Sequence, residues 1–234
     1  LGAHVIKCGL SPWITELVEE GVITAVALNG AGAIHDFELA WAGCTSEDVG
    51  PALEDGTFGM ARETADFINE AAAIGRRDGL GFGESLGQLI LREKLPNADL
   101  SILAAGARSG VPVTVHIAIG TDITHMHSST SGADLGETSL ADFHRFSELV
   151  ERLEGGAYLN VGSAVILPEV FLKALAIARN RRGGKPKRFC TANLDFIPHY
   201  RPLQNVVRRP TSSGGRGFQI IGHHEIMLPL LFTA

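Results

Sequence analysis

Two long apolar runs without polar alternation stand out along the chain, at residues 22–28 (VITAVAL) and 111–119 (VPVTVHIAI). Strands that are buried on both faces have this composition, which is typical of a parallel sheet covered by helices. A helix is predicted before the first run, because Ser11-Pro12 suits a helix start and Gly21 suits a helix end. With the short apolar run at 4–7, the first 45 residues are predicted to form a βαβ unit.

Helical and extended patterns alternate along the rest of the chain. Residues 45–110 are predicted to be mainly helical, with a flexible loop at 75–83. A separate apolar tail lies at 226–232. Further helices are predicted at 59–73, 84–95, 100–107, 139–153 and 167–180, and further strands at 157–160, 188–191 and 218–221. This order predicts a single domain, residues 1–234, with a doubly wound, mostly parallel α/β sheet that has helices on both faces and is Rossmann-like.

Composition excludes several classes of protein. The net charge is −6, and the 20 basic residues form no long stripe, so a nucleic-acid partner is not expected. The three cysteines are odd in number and lack CxxC spacing, which argues against a disulfide framework and a structural zinc site. No apolar run reaches the about 18 residues that a membrane span needs. We therefore expect a cytoplasmic protein without a membrane partner.

Glycine and polar residues collect at four predicted strand ends, where sheets of this kind bind their ligands. Glycine at such a position lets backbone N–H groups approach a pyrophosphate, and a helix N-terminus at Ser11 favours an anion. Asp122 is placed to hydrogen-bond a ribose diol. The four turns are CGLS (8–11), NGAG (29–32), GTD (120–122) and TAN (191–193). One such turn by itself is most simply a tight turn, whereas four together indicate a ligand site.

Histidines form a second group of candidate residues. His125 and His127 follow Asp122 in TDITHMH, and His223-His224 lie near the end of the sequence. An HxH pair with a nearby aspartate and histidine can bind a divalent metal. Histidine can instead act as a general base near neutral pH, or be a solvated loop residue.

Two other histidine positions have a structural and a functional interpretation. His116 lies inside a predicted strand and is most simply a packed core residue. His35-Asp36 begin a predicted helix after the glycine-rich turn. Asp36 either interacts favourably with the helix dipole or belongs to a site.

The order of these segments resembles that of the deoxyhypusine synthase family, whose members use NAD and spermidine to transfer an aminobutyl group to a protein lysine. Residues 17–40 resemble the family's helix, strand and Thr-Ala-Gly-Gly turn with its acidic cluster, and residues 110–122 its Ile-Pro-Val strand ending in Thr-Asp-Gly. FCTANLDF (189–196) resembles the strand that ends in Asn-Thr-Ala-Gln-Glu, and EIMLPLL (225–231) the C-terminal Leu-Val-Phe-Pro-Leu-Leu segment. The resemblance covers nearly the whole chain.

The resemblance implies an NAD cofactor across the strand ends and a small-molecule substrate. Because the family is homotetrameric with sites at dimer interfaces, it also implies a homo-oligomer, either a dimer or a tetramer. The implied NAD contacts are Gly9, Ser11, Asn29, Gly30, Gly32, Asp122, Thr191 and Ala192.

Three departures separate this chain from the family. The lysine that forms the covalent imine is missing, because the last lysine is Lys187 and the corresponding region (SSGGRGFQIIG) offers only Arg216. Arginine stays protonated and cannot form that imine. GSAVILPEV lacks the family's histidine, and the paired glutamates appear as Ile34-His35 with only Asp36 kept. The fold and the dinucleotide pocket are therefore expected to carry over better than the reaction.

Three functions remain open on these residues. The first is a deoxyhypusine synthase-like, NAD-binding enzyme that acts on a small amine or related substrate without imine chemistry. Its acid–base or substrate-anchoring residues would be His35, Asp36 and His127. The second is a metal-dependent hydrolase that uses Asp122, His125, His127 and His223 or His224. The third is a non-catalytic NAD-binding module.

Overall fold

Five parallel strands form two sheets in the computed structural model, which describes residues 1–45 and 49–233. In the first sheet, β1 (Val26–Asn29) pairs with β2 (Val113–His116). In the second, β4 (Cys190–Asp195) lies between β3 (Ala157–Val161) and β5 (Arg216–Ile221). We call the residues that directly follow the strands the carboxyl edge.

Residues Leu1 and Gly2 join the two sheets. The backbone nitrogen of Leu1 donates a hydrogen bond to the Ala27 carbonyl in β1 (2.6 Å). The Gly2 N–H donates to the Val161 carbonyl at the end of β3 (2.8 Å). Strands β1 and β3 therefore flank the same short segment.

The helices surround these strands, and local signals in the sequence set their ends. Ser101 and Ser131 each accept a backbone N–H as N-caps, and Gly79 and Gly110 end two helices with φ of 70° and 69°. The helices in the described residues are α1 (Ala3–Lys7), α2 (Ser11–Glu19), α3 (Gly30–Ala42), α4 (Val49–Asp55), α5 (Arg62–Asp78), α6 (Phe82–Arg92), α7 (Ile102–Ser109), α8 (Gly132–Glu151), α9 (Ile166–Arg181), α10 (Tyr200–Pro202) and α11 (His224–Phe232). Short 3-10 helices lie at Ala98–Leu100 and Ile123–Met126, and a π-helix follows α10 at Leu203–Arg208.

Two apolar cores cover opposite faces of the first sheet. Val26 and Leu28 of β1 point into the first core, which α1, α2, α3, α5, α6 and α7 complete. Ala27, between them, points into the second core with side chains of α8, α9 and the π-helix. Alternate residues of one strand are thus buried on both faces, which confirms the predicted α/β fold with parallel sheets covered by helices.

One predicted element near the start of the chain is wrong. Residues 4–7 form helix α1 rather than a strand, because so short a run has no periodicity that separates a strand from a helix. The apolar tail at 226–232, for which no element type was predicted, lies in helix α11. In α1, Val5 and Ile6 are buried as neighbours in the first core, which a half-buried strand with alternating faces would not allow.

Three predicted boundaries also change. The predicted loop at 75–83 is mostly helix, because α5 runs through Asp78 and α6 begins at Phe82. The NGAG turn is a direct strand-to-helix junction, since β1 ends at Asn29 and α3 begins at Gly30. The predicted strand at 188–191 runs from 190 to 195, so Thr191 and Ala192 lie inside β4 and not at its end. Residues 46–48 of the predicted helical region lie outside the described residues.

A buried carboxylate ties the outer strand of the first sheet to two helices. Asp142 in α8 accepts the N–H of Val115 in β2 (2.7 Å) and the N–H of Gly83 in α6 (2.8 Å). Ser139, one turn earlier in α8, donates to the Val115 carbonyl (3.3 Å) and accepts the Ile117 N–H (3.4 Å). Side chains of α8 thereby form hydrogen bonds with backbone groups on the side of β2 that faces away from β1, where no other strand pairs with it. Burial raises the pKa of Asp142 to about 7, although its backbone hydrogen bonds oppose the shift.

We predict that Asp142→Ala lowers the free energy of unfolding by about 3–5 kcal/mol, because two buried N–H groups lose their acceptor. The native state keeps the Asp142 proton to higher pH than the unfolded chain, so this residue's contribution to stability falls as the pH rises from about 4 to 7. The loss should therefore be larger at pH 5 than at pH 8 in urea denaturation. Glu148→Ala, an exposed position on the same helix, should change stability by less than about 0.5 kcal/mol. Equal losses in the two variants would contradict the assigned role of Asp142.

Candidate functional site

The junction between β1 and α3 brings four of the predicted cofactor contacts together. Asn29 is the N-cap of α3, and its side chain accepts the Gly32 N–H (2.9 Å). Gly30 packs directly on the Asp122 side chain, where a Cβ at position 30 would overlap the carboxylate. Asn29, Gly30, Gly32 and Asp122 thus lie where the sequence predicted, but they contact one another.

Asp122 organises the turn that follows β2. It is the N-cap of the 3-10 helix at Ile123–Met126, in a reciprocal capping arrangement with His125. His125 Nδ1 accepts the N–H of Gly120 (3.1 Å), and His125 Nε2 lies 3.9 Å from Asp122 Oδ2. Burial raises the pKa of Asp122, and the neighbouring His125 opposes the shift.

The N-terminus of α3 has no room for a phosphate in this arrangement. The Asp122 carboxylate already lies where the helix field would stabilise an anion. The cavity beside Gly30 and Asp122 measures about 10 Å³, which holds at most one water molecule. A pyrophosphate therefore does not fit at the α3 end of the site.

The N-terminus of α2 offers a different environment. Gly9 has φ of +72° in the turn between α1 and α2, with open space beside its Cα. Helix α2 begins without a side-chain cap, because Leu10 is at its N-cap. The Ser11 side chain is fully buried, and its Oγ has no hydrogen-bond partner among the described residues. Uncapped N–H groups and an unpaired hydroxyl make this turn suitable for an anionic ligand.

The two predicted contacts in β4 point to opposite faces of the second sheet. Thr191 is buried, and its hydroxyl donates to the Val206 carbonyl of the π-helix (2.7 Å). Ala192 points to the opposite face of the strand and packs against the first core. Both residues lie at the amino half of β4, away from the carboxyl edge.

A row of hydrogen-bonded side-chain amides, here called the amide ladder, crosses the second sheet and is not predicted from the sequence. Asn160, Asn193 and Gln219 are in register on β3, β4 and β5. Asn160 Nδ2 donates to Asn193 Oδ1 (2.7 Å), and Asn193 Nδ2 donates to Gln219 Oε1 (3.1 Å). Asn160 Oδ1 and Gln219 Nε2 have no partner among the described residues. Only the strand register reveals this ladder, because the three residues are far apart in the sequence.

His35 and Asp36 point to different surroundings from the same helix. His35 Nδ1 lies 3.0 Å from Glu38, and the Thr45 hydroxyl contacts both side chains. Asp36 is fully buried and accepts the N–H groups of Ile102 (2.8 Å) and Leu103 (3.1 Å). Burial raises the pKa of Asp36 to about 6, against the effect of these bonds. Asp36 therefore caps α7 and does not act on the dipole of its own helix.

His116 and His127 also lie in distinct environments. His116 is buried against Phe146, and burial lowers its pKa to about 3, as expected for a neutral core histidine. His127 Nε2 lies 2.8 Å from the Gly59 carbonyl. It lines an open hollow of about 610 Å³ together with Arg62 and Asp66.

The paired histidines follow β5 at the carboxyl edge. His224 is buried, and its Nε2 lies 3.1 Å from the Leu194 carbonyl. A carbonyl only accepts, so Nε2 carries the proton and Nδ1 keeps a lone pair. That Nδ1 has no partner among the described residues. Within residues 1–45 and 49–233, the histidines predicted to bind a metal (His125, His127, His223 and His224) do not come together in a metal-binding cluster.

Comparisons with known proteins identify the fold. No protein-family model matches the chain, and no curated protein matches it. Many solved structures are similar to it, and three of them are described below. The arginine dihydrolase ArgZ of the ornithine–ammonia cycle in cyanobacteria is 17% identical (TM-score 0.57), with 100% of this chain and 27% of that one covered. A conserved LOR/SDH protein from Methanococcus maripaludis S2 is 15% identical (TM-score 0.61), with 99% and 58% covered. A deoxyhypusine synthase-like protein from Entamoeba histolytica is 9% identical (TM-score 0.53), with 99% and 72% covered.

These likenesses show a Rossmann-like α/β fold, which this chain shares with the LOR/SDH protein and the deoxyhypusine synthase-like protein. The chain spans about a quarter of ArgZ and somewhat more than half of the LOR/SDH protein. Sequence identities of 9–17% establish the fold alone. Any activity therefore has to be inferred from the residues of this chain. In the described part of the chain, no helix has both the length and the apolar character needed to cross a membrane.

We predict that Gly30→Ala destabilises the protein by about 1–3 kcal/mol, because the added methyl group displaces the Asp122 carboxylate. Gly136→Ala is a matched control in an open position of α8 and should stabilise by about 0.5–1 kcal/mol. In a double-mutant cycle by thermal or urea unfolding, Gly30→Ala with Asp122→Ala should cost less than the sum of the single changes. Strict additivity would show that Gly30 and Asp122 do not interact.

Proposed function

We propose that this protein is an NAD-dependent enzyme of the deoxyhypusine synthase type that acts on a small amine without a lysine imine. The α2 N-terminus carries the proposal, with an uncapped helix start, an unpaired buried hydroxyl at Ser11 and an open glycine turn. The Rossmann-like fold supports it, because such folds bind dinucleotides at the carboxyl ends of their strands.

The proposed orientation places the pyrophosphate at Gly9 and Ser11 and not at the N-terminus of α3. Gly9 lets the backbone approach the phosphates, and the Ser11 hydroxyl and the backbone N–H groups of Ser11 and Trp13 donate to them, since Pro12 has no N–H. Asn29, Gly30, Gly32 and Asp122 lie outside the proposed phosphate site, because the cavity beside Gly30 and Asp122 holds at most one water molecule. Thr191 and Ala192 are left out of the pocket because both lie in the amino half of β4, and the Thr191 hydroxyl is engaged with the Val206 carbonyl.

NAD, when bound, supplies a hydride acceptor for the carbon that bears the amine. The matching proton acceptor in this chain is His224, whose Nδ1 lone pair is buried and unpaired at the carboxyl edge. Asp36 is not part of the proposed chemistry, because its oxygens are engaged in capping α7. His35 and His127 remain predicted substrate-anchoring residues.

The similar structures support an amine or amino-acid substrate. One is an arginine dihydrolase and another a deoxyhypusine synthase-like protein. The net charge of −6 also favours a cationic small molecule over an anionic one. The substrate class is accordingly a small cationic amine.

Titration calorimetry with NAD tests the proposed pocket. We predict that Ser11→Ala weakens NAD binding about tenfold, or about 1.4 kcal/mol, and leaves stability nearly unchanged since Ser11 Oγ has no partner. Ser85→Ala is the matched control, because Ser85 is equally buried but donates to the Ala71 carbonyl (2.6 Å). That variant should lose stability and keep its affinity for NAD. If NAD does not bind at millimolar concentration, or binds Ser11→Ala with unchanged affinity, the pocket is wrongly placed.

A second variant separates binding from catalysis. We predict that His224→Gln binds NAD with unchanged affinity and loses at least about 100-fold in NADH formation on amine substrates, as expected for a general base. NADH absorbance over a panel of amines gives the rate. If the wild-type protein binds NAD but turns over no amine of the panel, the non-catalytic NAD-binding module replaces the enzyme proposal.

Two other predictions remain untested by the structure. The hydrolase alternative lacks a shared metal cluster of its histidines within the described residues. One observation supports the predicted homo-oligomer. Leu159 and Phe218 are exposed on one face of the second sheet, and parallel sheets normally have both faces covered. Sedimentation equilibrium at micromolar concentration measures the oligomeric state, and a monomer would contradict that prediction.

A further inference from the structure

Three side chains with metal-binding atoms meet between α1 and α11. His4 and Cys8 are four residues apart, so they lie on one face of α1 and its C-cap. Their ligand atoms, His4 Nε2 and Cys8 Sγ, are 3.2 Å apart. Glu225 comes from the first turn of α11, and one ligand atom from each of the three residues lies within 4.8 Å of the other two.

Both helices that carry these residues are anchored in the core. Val5 and Ile6 bury the opposite face of α1, and the Gly2 N–H bonds to the end of β3. His224 and Leu228 bury one face of α11. The three ligand atoms therefore project from fixed elements and not from loops, which is what a preorganised site requires.

We propose that His4, Cys8 and Glu225 bind one Zn²⁺ ion. A thiolate, an imidazole and a carboxylate are ligands that zinc takes together, at about 2.0–2.3 Å from the ion. Tetrahedral coordination at those bond lengths puts the ligand atoms about 3.3–3.8 Å apart. The 3.2 Å between His4 and Cys8 is close to that range, and the exposed Glu225 offers a carboxylate oxygen within 4.8 Å of both atoms.

The ligand types favour zinc over the hard cations. Ca²⁺ and Mg²⁺ prefer oxygen ligands, whereas a cysteine sulfur selects softer metals. On binding, the Cys8 S–H bond breaks, the sulfur–zinc bond forms and the proton passes to solvent, so affinity rises with pH. A disulfide does not compete at this place, because all three cysteines are free.

Three protein ligands leave a fourth position on the ion. His4 and Glu225 are exposed and Cys8 is half-buried, so solvent reaches this position. Sites of this type hold water or a substrate atom in the open position, unlike closed structural zinc sites. The His4 ring lies 5.4 Å from the His224 ring, which places the ion at the carboxyl edge.

Metal titration of the chelator-treated, 234-residue protein tests the site without NAD. Zn²⁺ is titrated by calorimetry, and Co²⁺ is used as a spectroscopic probe of thiolate ligation. We expect one equivalent of each metal and a thiolate-to-cobalt charge-transfer band. Cys8→Ser should abolish that band and weaken Zn²⁺ binding about 100-fold or more, and Glu225→Gln should weaken it at least about tenfold. Cys190→Ser and Glu20→Gln are matched controls at exposed positions and should bind as the wild type does.

The outcomes separate this site from the NAD pocket. If the wild-type protein binds no Zn²⁺, or if Cys8→Ser keeps the cobalt band, the zinc site is refuted and the NAD proposal stands unchanged. If Cys8→Ser does not fold, as judged by circular dichroism, the exposed Glu225→Gln variant decides. Unchanged Zn²⁺ affinity in Glu225→Gln would refute the three-ligand site.

Discussion

Backbone hydrogen bonding at helix N-termini is the constraint on which this structure depends. Parallel strands must be joined by helices that begin near the strand ends, and the first N–H groups of each helix lack partners within it. At α3 they face Asn29 and the Asp122 carboxylate, and at α9 the Leu167 N–H bonds to Ser163 Oγ (3.3 Å). At α2 no side chain performs this role. Helices α1, α5 and α11 also lack a side-chain cap, and the buried, unpaired Ser11 hydroxyl distinguishes α2 as the proposed anion site.

The same constraint explains two of the buried carboxylates with raised pKa values, Asp36 and Asp142. Asp36 accepts N–H groups at the start of α7, and Asp142 accepts one at the start of α6 and one from β2. Burial raises both pKa values, which in other contexts marks a catalytic residue. Here each carboxylate has several backbone donors, so its position is explained by architecture alone.

The segment that joins α1 to α2 connects the two proposed sites. His4 and Cys8 supply two of the three zinc ligands, and the next residues, Gly9 to Ser11, form the proposed phosphate turn. Cys8 is both the C-cap of α1 and the residue before the Gly9 turn. A metal on α1 and a dinucleotide on α2 would thus share one short, anchored stretch of backbone at the carboxyl edge.

The sequence by itself determined the fold class and most of the elements. Unbroken apolar runs identify strands that are buried on both faces, and Ser11-Pro12 and Gly21 mark the ends of α2, because these signals are local. It also placed Gly30 and Asp122 at neighbouring strand ends, since parallel strands finish at one edge. It did not show that these two residues contact each other.

Only the tertiary structure decided what the polar residues do. Asp36 caps a helix that begins 66 residues later, at Ile102, and the Asn160–Asn193–Gln219 ladder exists only through strand register. His4 and Cys8 meet Glu225 because α1 and α11 pack at the same edge, at opposite ends of the sequence. Hydrophobic periodicity carries no information on such pairings. These contacts join residues that are far apart in the sequence, and they form only when the helices pack on the two sheets.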